Sequence, residues 1–307
     1  MNQHYQGILK GRKVALLSGG PGSERDVSLR SGAAVAKALG TVGAHVVEID
    51  VHGPDFTLPE NTDLAFNLIH GTFGEDGQLQ EILDHSGIPY TGENAEKSRI
   101  AFDKILTKEA FDRAGVPTSK WEKILVGQPP TMQPPYVVKA PRQGSSVGVH
   151  ILHDASGLTA ALDDCFRFGD MVLVEEFFKG RELTVGILGK TALPVVEIIP
   201  KDGFYDYANK YTSGASQYFV PAPLEAALAA RIQQTALEAS HALGLEVYCR
   251  VDILLGDDAS MSVLEINTIP GMTELSLLPK AASAVGLQFG PLCEEIAGLS
   301  WAKGGTA

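Results

Sequence analysis

The sequence predicts an α/β protein in which an N-terminal domain with a parallel sheet precedes two α+β domains. Two observations support this prediction. In the N-terminal third, short apolar runs alternate with a helical pattern. Such alternation is typical of a parallel sheet that binds ligands at the carboxyl ends of its strands. After residue 103, paired apolar runs separated by short turns are typical of antiparallel hairpins.

The elements of the N-terminal domain are predicted from apolar runs and glycine-rich turns. We expect strands at 13–17, 46–51 and 64–69, and a helix at 24–39. Glycine-rich segments follow the first and third strands, where ligands of a parallel sheet bind. We place this domain at residues 1–103.

The rest of the chain is predicted to form two domains, at 104–188 and 189–307. The first is predicted to have a helix, which ends at a glycine and a proline, and then two strands. A predicted hairpin turns at Gly189-Lys190 and crosses the boundary between the two domains. The second has a long polar segment, a helix and a closing hairpin. Helices are predicted at 104–114 and 224–243, and strands at 136–139 and 172–176. Hairpins are predicted at 182–188 with 191–199 and at 247–255 with 261–267, and the polar segment covers 200–220.

Composition excludes several classes of protein. The net charge of −12 argues against a nucleic-acid partner, and any bound anion requires cations gathered at one place. The three cysteines are widely spaced, which argues against a disulfide framework or a zinc site. A polar N-terminus and the lack of a long apolar run predict a cytoplasmic protein with no membrane partner.

The closing hairpin carries the strongest chemical pattern. Arg250 and Asp252 share one face of a strand, as do Glu265 and Asn267. With a turn at 258–259, Asp252 lies opposite Glu265. Facing carboxylates, as oxygen ligands without histidine or cysteine among them, are typical of a Mg²⁺ site completed by substrate phosphates. A structural network of ion pairs explains the same residues equally well at this stage.

A second pattern predicts phosphate binding. Lys139 ends a strand and precedes a Gly/Ser-rich loop at 142–148, whose free N–H groups and hydroxyls suit a clamp over phosphates. Lys104 supplies another cation at the domain border. An ordinary surface loop and a solvated helix residue remain the alternatives.

Two other phosphate motifs are rejected. Gly20-x-Gly22 followed by Asp50 resembles a dinucleotide fingerprint, but Arg25 occupies the third glycine position. Gly189-Lys190-Thr191 resembles the end of a P-loop, but Thr184 replaces the earlier glycine. Among the eight histidines only His70, at a predicted strand end, is placed to contact a ligand.

The order of these motifs resembles the D-alanine:D-alanine ligase family, whose fold is the ATP-grasp fold. The resemblance covers nearly the whole chain, and six blocks in the right order are far more specific than any one of them. The matching blocks are Gly19-Gly20 with Glu24 and Val27-Ser28, 70–77, Lys139 with 144–148, 205–211, 250–252 and 265–273.

The resemblance implies a role for each matching residue. Lys104 and Lys139 would hold the ATP phosphates, residues 175–178, including Glu175, Glu176 and Phe178, would line the adenine pocket, and Glu182 would bond the ribose. Asp252, Glu265 and Asn267 would hold two Mg²⁺ ions, with Mn²⁺ as a possible substitute.

For the substrates, the resemblance implies that Glu24 receives the ammonium of the first D-alanine, with His70 nearby. The carboxylate of the second would bind Ser276 and the backbone of Leu277, and Lys210 would be a further substrate-binding residue. Arg250 and the Gly271 N–H would stabilise the oxyanion, and Glu24, Ser145 and Tyr211 would form a hydrogen-bonded chain. Gly22 and Leu275 depart from the family pattern.

These features together predict ATP-dependent ligation of two D-alanine molecules through an acyl phosphate, for cell-wall precursor synthesis. The family also implies a homodimer. Four alternatives are another ATP-grasp ligase, a D-alanine:D-lactate ligase, a dinucleotide-dependent dehydrogenase and a non-catalytic ATP sensor. Lys210-Tyr211 favours the amide-forming branch, whereas Arg25 and the acidic hairpin argue against the dehydrogenase.

Overall fold

The computed structural model describes residues 4–200 and 216–303. The first sheet of this part of the chain is formed by β1 (Lys13–Gly19), β2 (His45–Val51) and β3 (Leu64–Asn67). All its strands are parallel, in the order β2-β1-β3, so the predicted parallel sheet is confirmed. β3 ends earlier than predicted because the Asn67 side chain accepts a hydrogen bond from the Ile69 N–H (2.9 Å) and turns the chain.

Three helices accompany this sheet, namely α1 (Arg25–Thr41), α2 (Gln78–Ser86) and α3 (Ala95–Phe102). Helix α1 confirms the helix predicted at 24–39. It buries Val35 and Leu39 in the same core cluster as Val14 and Leu16 of β1. Its N-cap is Glu24, so a residue predicted to bind substrate stands where β1 passes into α1.

The second sheet is antiparallel and has the order β4-β7-β5-β6. Its strands are β4 (Trp121–Leu125), β5 (Tyr136–Lys139), β6 (Val149–Leu152) and β7 (Met171–Glu176). Helix α4 (Lys104–Ala114) begins at the predicted residue because the Asp103 carboxylate accepts the first free N–H groups of the helix. A 3₁₀ turn (Ala155–Gly157) leads into helix α5 (Leu158–Phe166), which packs on the sheet.

The third sheet contains β8 (Arg181–Leu188), β9 (Thr191–Ala192), β10 (Val196–Pro200), β11 (Ser216–Phe219), β12 (Tyr248–Leu255) and β13 (Met261–Asn267). Its main order is β11-β10-β8-β12-β13, and β9 pairs with β8. Helix α6 (Ala226–Ala242) covers one face of the sheet through Ile232, Ala236 and Ala239. The predicted helix at 224–243 and the closing hairpin are both present.

The hairpin predicted around Gly189-Lys190 forms, but the strand predicted at 191–199 is wrong as one continuous element. It is divided into β9 and β10 by residues 193–195. Pro194 lies in this gap, and proline has no N–H to donate to a neighbouring strand. The predicted domain boundary between residues 188 and 189 separates β8 from β10 and β12, the strands with which it pairs.

The C-terminal helices α7 (Leu277–Ala284) and α8 (Phe289–Ala302) pack against the N-terminal sheet and helix. One core cluster joins Leu278 of α7 and Ile296 of α8 to Leu39 of α1. The carboxyl end of β3 lies beside the segment between β13 and α7, because His70 Nδ1 contacts the Ile269 carbonyl oxygen. In the part of the chain that the structure describes, the helices are too short or too polar to span a bilayer.

Candidate active site

A cavity of about 950 Å³ lies between the first and third sheets. It brings together residues from both ends of the chain and from the Gly/Ser loop. The predicted site residues that line it are Glu24, His70, Lys104, Ser145, Arg250, Glu265, Asn267, Gly271, Ser276 and Leu277. These side chains were predicted from separate motifs, and the fold places them around one space.

Two glycines, Gly71 and Gly144, lie against the Glu24 carboxylate and leave no room there for a side chain. A methyl group at Gly71 would lie 2.6 Å from Glu24 Oε2, and one at Gly144 would lie 2.7 Å from the same atom. The Ser145 hydroxyl donates a hydrogen bond to Glu24 Oε1. Ser145 and Ser146 have φ values of 52° and 62°, which are uncommon for residues other than glycine. Such backbone conformations often occur at functional sites.

His70 lies at the end of β3, where it was predicted to contact a ligand, and it is held from three sides. Its Nδ1 is 2.8 Å from the Ile269 carbonyl oxygen, and its Nε2 is 3.2 Å from the Ser31 hydroxyl. The Glu75 carboxylate lies 3.7 Å from Nδ1. Burial raises the pKa of Glu75, and the hydrogen bond with His70 opposes this rise.

The closing hairpin has the predicted register at its acidic end. Asp252 pairs with Glu265, and Arg250 pairs with Asn267. The register shifts between Asp252 and Ile253 because Ile253 pairs with Val263, which leaves Leu264 as an extra residue. The two carboxylates therefore face each other on neighbouring strands.

Both carboxylates of the hairpin have cationic neighbours. Arg250 donates to Asp252 through Nε (2.9 Å) and Nη2 (2.8 Å), and the Thr184 hydroxyl donates to Asp252 Oδ1 (2.6 Å). Lys104 Nζ lies 3.0 Å from Glu265 Oε2. The structure thus shows two ion pairs at these residues, Arg250–Asp252 and Lys104–Glu265.

The oxygen donors of this hairpin are suited to a Mg²⁺ ion that shares its coordination with phosphates. Asp252, Glu265 and Asn267 offer two carboxylates and an amide oxygen, and such ligands suit Mg²⁺. Among the described residues, no cluster of three or more His, Cys, Asp and Glu could hold a metal without other ligands. Two carboxylates suffice for Mg²⁺ when waters and phosphate oxygens complete the shell.

The segment before α7 forms the opposite wall of the cavity. Ser276 is the N-cap of α7, and its hydroxyl oxygen lies 3.0 Å from the Thr273 N–H. The first N–H groups of a helix, such as that of Leu277, have no intrahelical acceptor and attract anions. A methyl group at Gly271 would lie 3.0 Å from Ser276 Oγ. Leu275, a departure from the family pattern, lines the cavity mouth.

Lys139 is not among the residues that line the cavity. Its Nζ lies 2.5 Å from Glu175 Oε2, and Lys108 Nζ lies 3.0 Å from Glu175 Oε1. Burial alone would raise the pKa of Glu175, but the two ammonium groups outweigh burial and lower it to about 2. The Glu175 side chain, predicted to line the adenine pocket, is therefore engaged with two lysines.

Lys108 was not identified from the sequence. It lies four residues after Lys104, and residues at this spacing share one face of a helix. That spacing could have indicated that both lysines approach the same site.

The remaining predicted nucleotide residues lie near the end of β7 and the start of β8. Glu176 is exposed and ends β7, whereas Phe178 and Glu182 are half-buried. Phe178 approaches Gly256 beside the turn of the closing hairpin. Their roles toward adenine and ribose stay predictions, and Lys210 and Tyr211 lie outside the described residues.

Two residues of the rejected dinucleotide motif, Arg25 and Asp50, form an ion pair with each other. Arg25 Nη2 donates to both carboxylate oxygens of Asp50 at 2.7 Å, and Arg25 Nη1 donates to the Val51 carbonyl oxygen. Asp50, which would bond a ribose in a dinucleotide site, is therefore engaged by the residue that replaces the third glycine.

Comparison with known proteins identifies the family. Residues 110–297 match the family model for the D-ala D-ala ligase C-terminus, and residues 54–93 match the model for its N-terminus. The chain is 48% identical over 292 residues to a D-alanine–D-alanine ligase of Methylacidiphilum infernorum, covering 95% of this chain and 96% of the relative.

Solved structures agree with the sequence comparison. The D-alanine–D-alanine ligase of Bacillus anthracis complexed with ATP has a TM-score of 0.83 at 30% identity, covering 96% of this chain and 98% of that one. The VanG D-Ala:D-Ser ligase of Enterococcus faecalis has a TM-score of 0.83 at 26% identity, covering 95% and 100%. The fold is thus the predicted ATP-grasp fold, and the chain belongs to the D-alanine–D-alanine ligase family.

Proposed function

We propose that this protein joins two D-alanine molecules in a reaction driven by ATP, with an acyl phosphate as the intermediate. The observation that supports this most is the single cavity that Glu24, Arg250 and Ser276 line from three different segments. An anionic group for an ammonium, a cation for an oxyanion and a helix N-terminus for a carboxylate are the groups that such a ligation requires.

In the first half-reaction, the carboxylate of one D-alanine attacks the terminal phosphate of ATP, the bond between this phosphate and the rest of the nucleotide breaks, and ADP leaves. Glu24 binds the ammonium group of this molecule, which orients its carboxylate toward Arg250 and Lys104. Lys104 and Lys139 hold the phosphates and reduce the repulsion between two anions. Two Mg²⁺ ions held by Asp252, Glu265 and Asn267 would supply further neutralisation of phosphate charge, and Mn²⁺ could replace them.

In the second half-reaction, the amine of the other D-alanine attacks the acyl phosphate and phosphate leaves. Ser276, the Leu277 N–H and Lys210 bind the carboxylate of this molecule. The tetrahedral intermediate carries an oxyanion, which Arg250 and the Gly271 N–H stabilise by donating hydrogen bonds. A hydrogen-bond donor that the protein already holds in position stabilises the oxyanion more than water does, because it does not have to reorient.

Water must be kept from the acyl phosphate, and the Gly/Ser loop is suited to this task. Ser145 links the loop to Glu24, and with Tyr211 it would complete the predicted hydrogen-bonded chain across the substrates. A closed loop excludes water and so protects the intermediate from hydrolysis.

The product would be a dipeptide used to build peptidoglycan precursors, which places the enzyme in the bacterial cytoplasm. We further propose that the protein acts as a homodimer, as the family resemblance implies. We also propose the domain arrangement predicted from the sequence, with boundaries after residues 103 and 188.

The decisive experiment measures phosphate release with ATP and one added substrate. D-alanine is expected to support release, whereas L-alanine and D-lactate are not, and mass spectrometry is expected to show the D-alanyl-D-alanine dipeptide. D-serine is a further arm because one structural neighbour is a D-Ala:D-Ser ligase. Release of phosphate with D-lactate in place of D-alanine, or no release with any substrate, would contradict the proposal.

A further inference from the structure

Lys108 is a buried cation that the proposed mechanism does not use. It lies on α4, and its side chain has no exposed surface. Its ammonium group donates to the Thr118 hydroxyl and to the Val263 carbonyl oxygen (3.3 Å), and lies 3.0 Å from Glu175 Oε1. A buried ammonium is costly unless it is paired and hydrogen-bonded, and Lys108 meets both conditions.

The other carboxylate oxygen of Glu175 contacts the ammonium group of Lys139. One buried carboxylate therefore stands between two ammonium groups, with Lys108 on Oε1 and Lys139 on Oε2. The group of three carries two positive charges and one negative charge, so its net charge is +1. The pKa of Lys108 is lowered, chiefly by burial and also by Lys139, whereas the Glu175 carboxylate opposes this effect.

Without Lys108, Glu175 would neutralise Lys139 completely. A neutral Lys139–Glu175 pair attracts phosphate far less than an ammonium whose partner carboxylate is shared with a second cation. We propose that Lys108 is a positioning residue: it occupies one oxygen of Glu175 and so leaves a net positive charge at Lys139 for the ATP phosphates. This inference rests on the proposed function only in taking Lys139 as a phosphate-binding residue.

The contacts of Lys108 also join the two sheets that would enclose the nucleotide. Glu175 belongs to β7 of the second sheet, whereas Val263 belongs to β13 of the third, two residues before Glu265. Next to this contact, the Ser119 N–H donates to the Ser262 hydroxyl (2.9 Å), and the Val263 N–H donates to the Pro117 carbonyl oxygen (2.8 Å). The Lys108 ammonium group therefore lies where hydrogen bonds connect the second and third sheets.

A double-mutant cycle tests this role. Lys108→Met keeps the length of the side chain but removes its charge, and the dissociation constant for ADP is expected to rise about tenfold, equivalent to about 1.4 kcal/mol. Lys108→Met with Glu175→Gln removes one charge of each sign and restores a net charge of +1. The double variant is expected to bind ADP more tightly than Lys108→Met alone, because the effects of contacting residues are coupled.

The matched control is Lys303→Met, which also removes an ammonium group, here one that is half-buried. Lys303 donates to the Gly92 carbonyl oxygen and lies 4.2 Å from the centre of the Tyr90 ring, so it contacts no predicted nucleotide residue. ADP affinity is expected to be unchanged in this variant, and the KM for D-alanine is expected to be unchanged in Lys108→Met. Urea denaturation of each variant reports the fold separately.

Calorimetry with ADP separates this inference from the proposed function. A parent protein that binds ADP but forms no dipeptide would contradict the ligase proposal and leave the test of Lys108 intact. Parental ADP affinity in Lys108→Met would overturn the inference. Independent effects would overturn it too. If the fold-changes in the ADP dissociation constant caused by the two substitutions simply multiply in the double variant, Lys108 does not act through Glu175.

Discussion

The Ser145 hydroxyl donates a hydrogen bond to the Glu24 carboxylate, although the two residues are 121 positions apart in the chain. This bond joins the Gly/Ser loop of the second sheet to the first turn of α1. Gly144 makes the approach possible because it presents no side chain to the carboxylate. The position of Glu24 in the cavity therefore depends on a loop from another part of the protein.

Gly144→Ala is expected to lower kcat/KM for D-alanine at least about tenfold, because misplaced binding groups are costly in catalysis. The added methyl group would lie 2.7 Å from Glu24 Oε2 and would displace the carboxylate. Steady-state kinetics with varied D-alanine would measure the effect. The matched control is Gly22→Ala, whose methyl group would lie 3.7 Å from its nearest neighbour.

The control should be slightly stabilised, by about 0.4–1 kcal/mol, because alanine restricts the unfolded chain more than glycine does. Equal kinetic losses in Gly144→Ala and Gly22→Ala would show that contact with Glu24 is not the cause.

Glu265→Gln is expected to lower turnover at least about tenfold and to raise the Mg²⁺ concentration needed for half-maximal activity. The amide loses the negative charge that faces Asp252 and pairs with Lys104. A titration of activity against Mg²⁺ would measure both effects. Glu48→Gln, at an exposed position of β2, is the control for loss of one carboxylate. A parental Mg²⁺ dependence in Glu265→Gln would exclude this residue as a ligand.

The amides of residues 144–148 are expected to exchange hydrogen more slowly when an ATP analogue and D-alanine are both bound. The loop includes Ser145 and Ser146, whose backbone conformations are unfavourable without compensating contacts. Bound phosphates would supply such contacts and exclude water. Hydrogen exchange with mass spectrometry, with and without ligands, would test this. Equal protection in the two states would contradict loop closure.

Lys303 is expected to contribute a rise in the free energy of unfolding between pH 8 and pH 10.5. Burial lowers the pKa of Lys303 from 10.5 to about 8, against the opposing effect of Glu93. In this window the unfolded chain binds more protons at Lys303 than the folded chain does, so the contribution of Lys303 to stability increases with pH. Below pH 8 the cost of the buried charge is present in full.

Lys303→Met is expected to lack this rise, so the difference in unfolding free energy between parent and variant should change across the window. Urea denaturation at several pH values would measure it. Parallel stability curves for the two proteins would show that Lys303 titrates equally in the folded and unfolded states.

Sequence patterns predicted much of the fold because they reflect short-range geometry. The alternation of faces along β12 and β13 correctly placed Asp252 opposite Glu265, and Asp103 and Gly115 marked both ends of α4. The same patterns failed at Pro194, where a strand predicted from its apolar residues is interrupted. The bulge at Leu264 was also missed, because an extra residue in one strand leaves no mark in the alternation of its partner.

The sequence by itself determined which chemical groups this protein can use: a facing pair of carboxylates, lysines beside a Gly/Ser loop, and a glutamate at the first helix. Only the tertiary structure decided which of these groups meet. Lys139 joins Glu175 and Lys108, whereas Lys104 joins Glu265. Periodicity and turn chemistry act over a few residues, whereas ion pairs between distant segments depend on how the sheets pack and on how deeply each charge is buried.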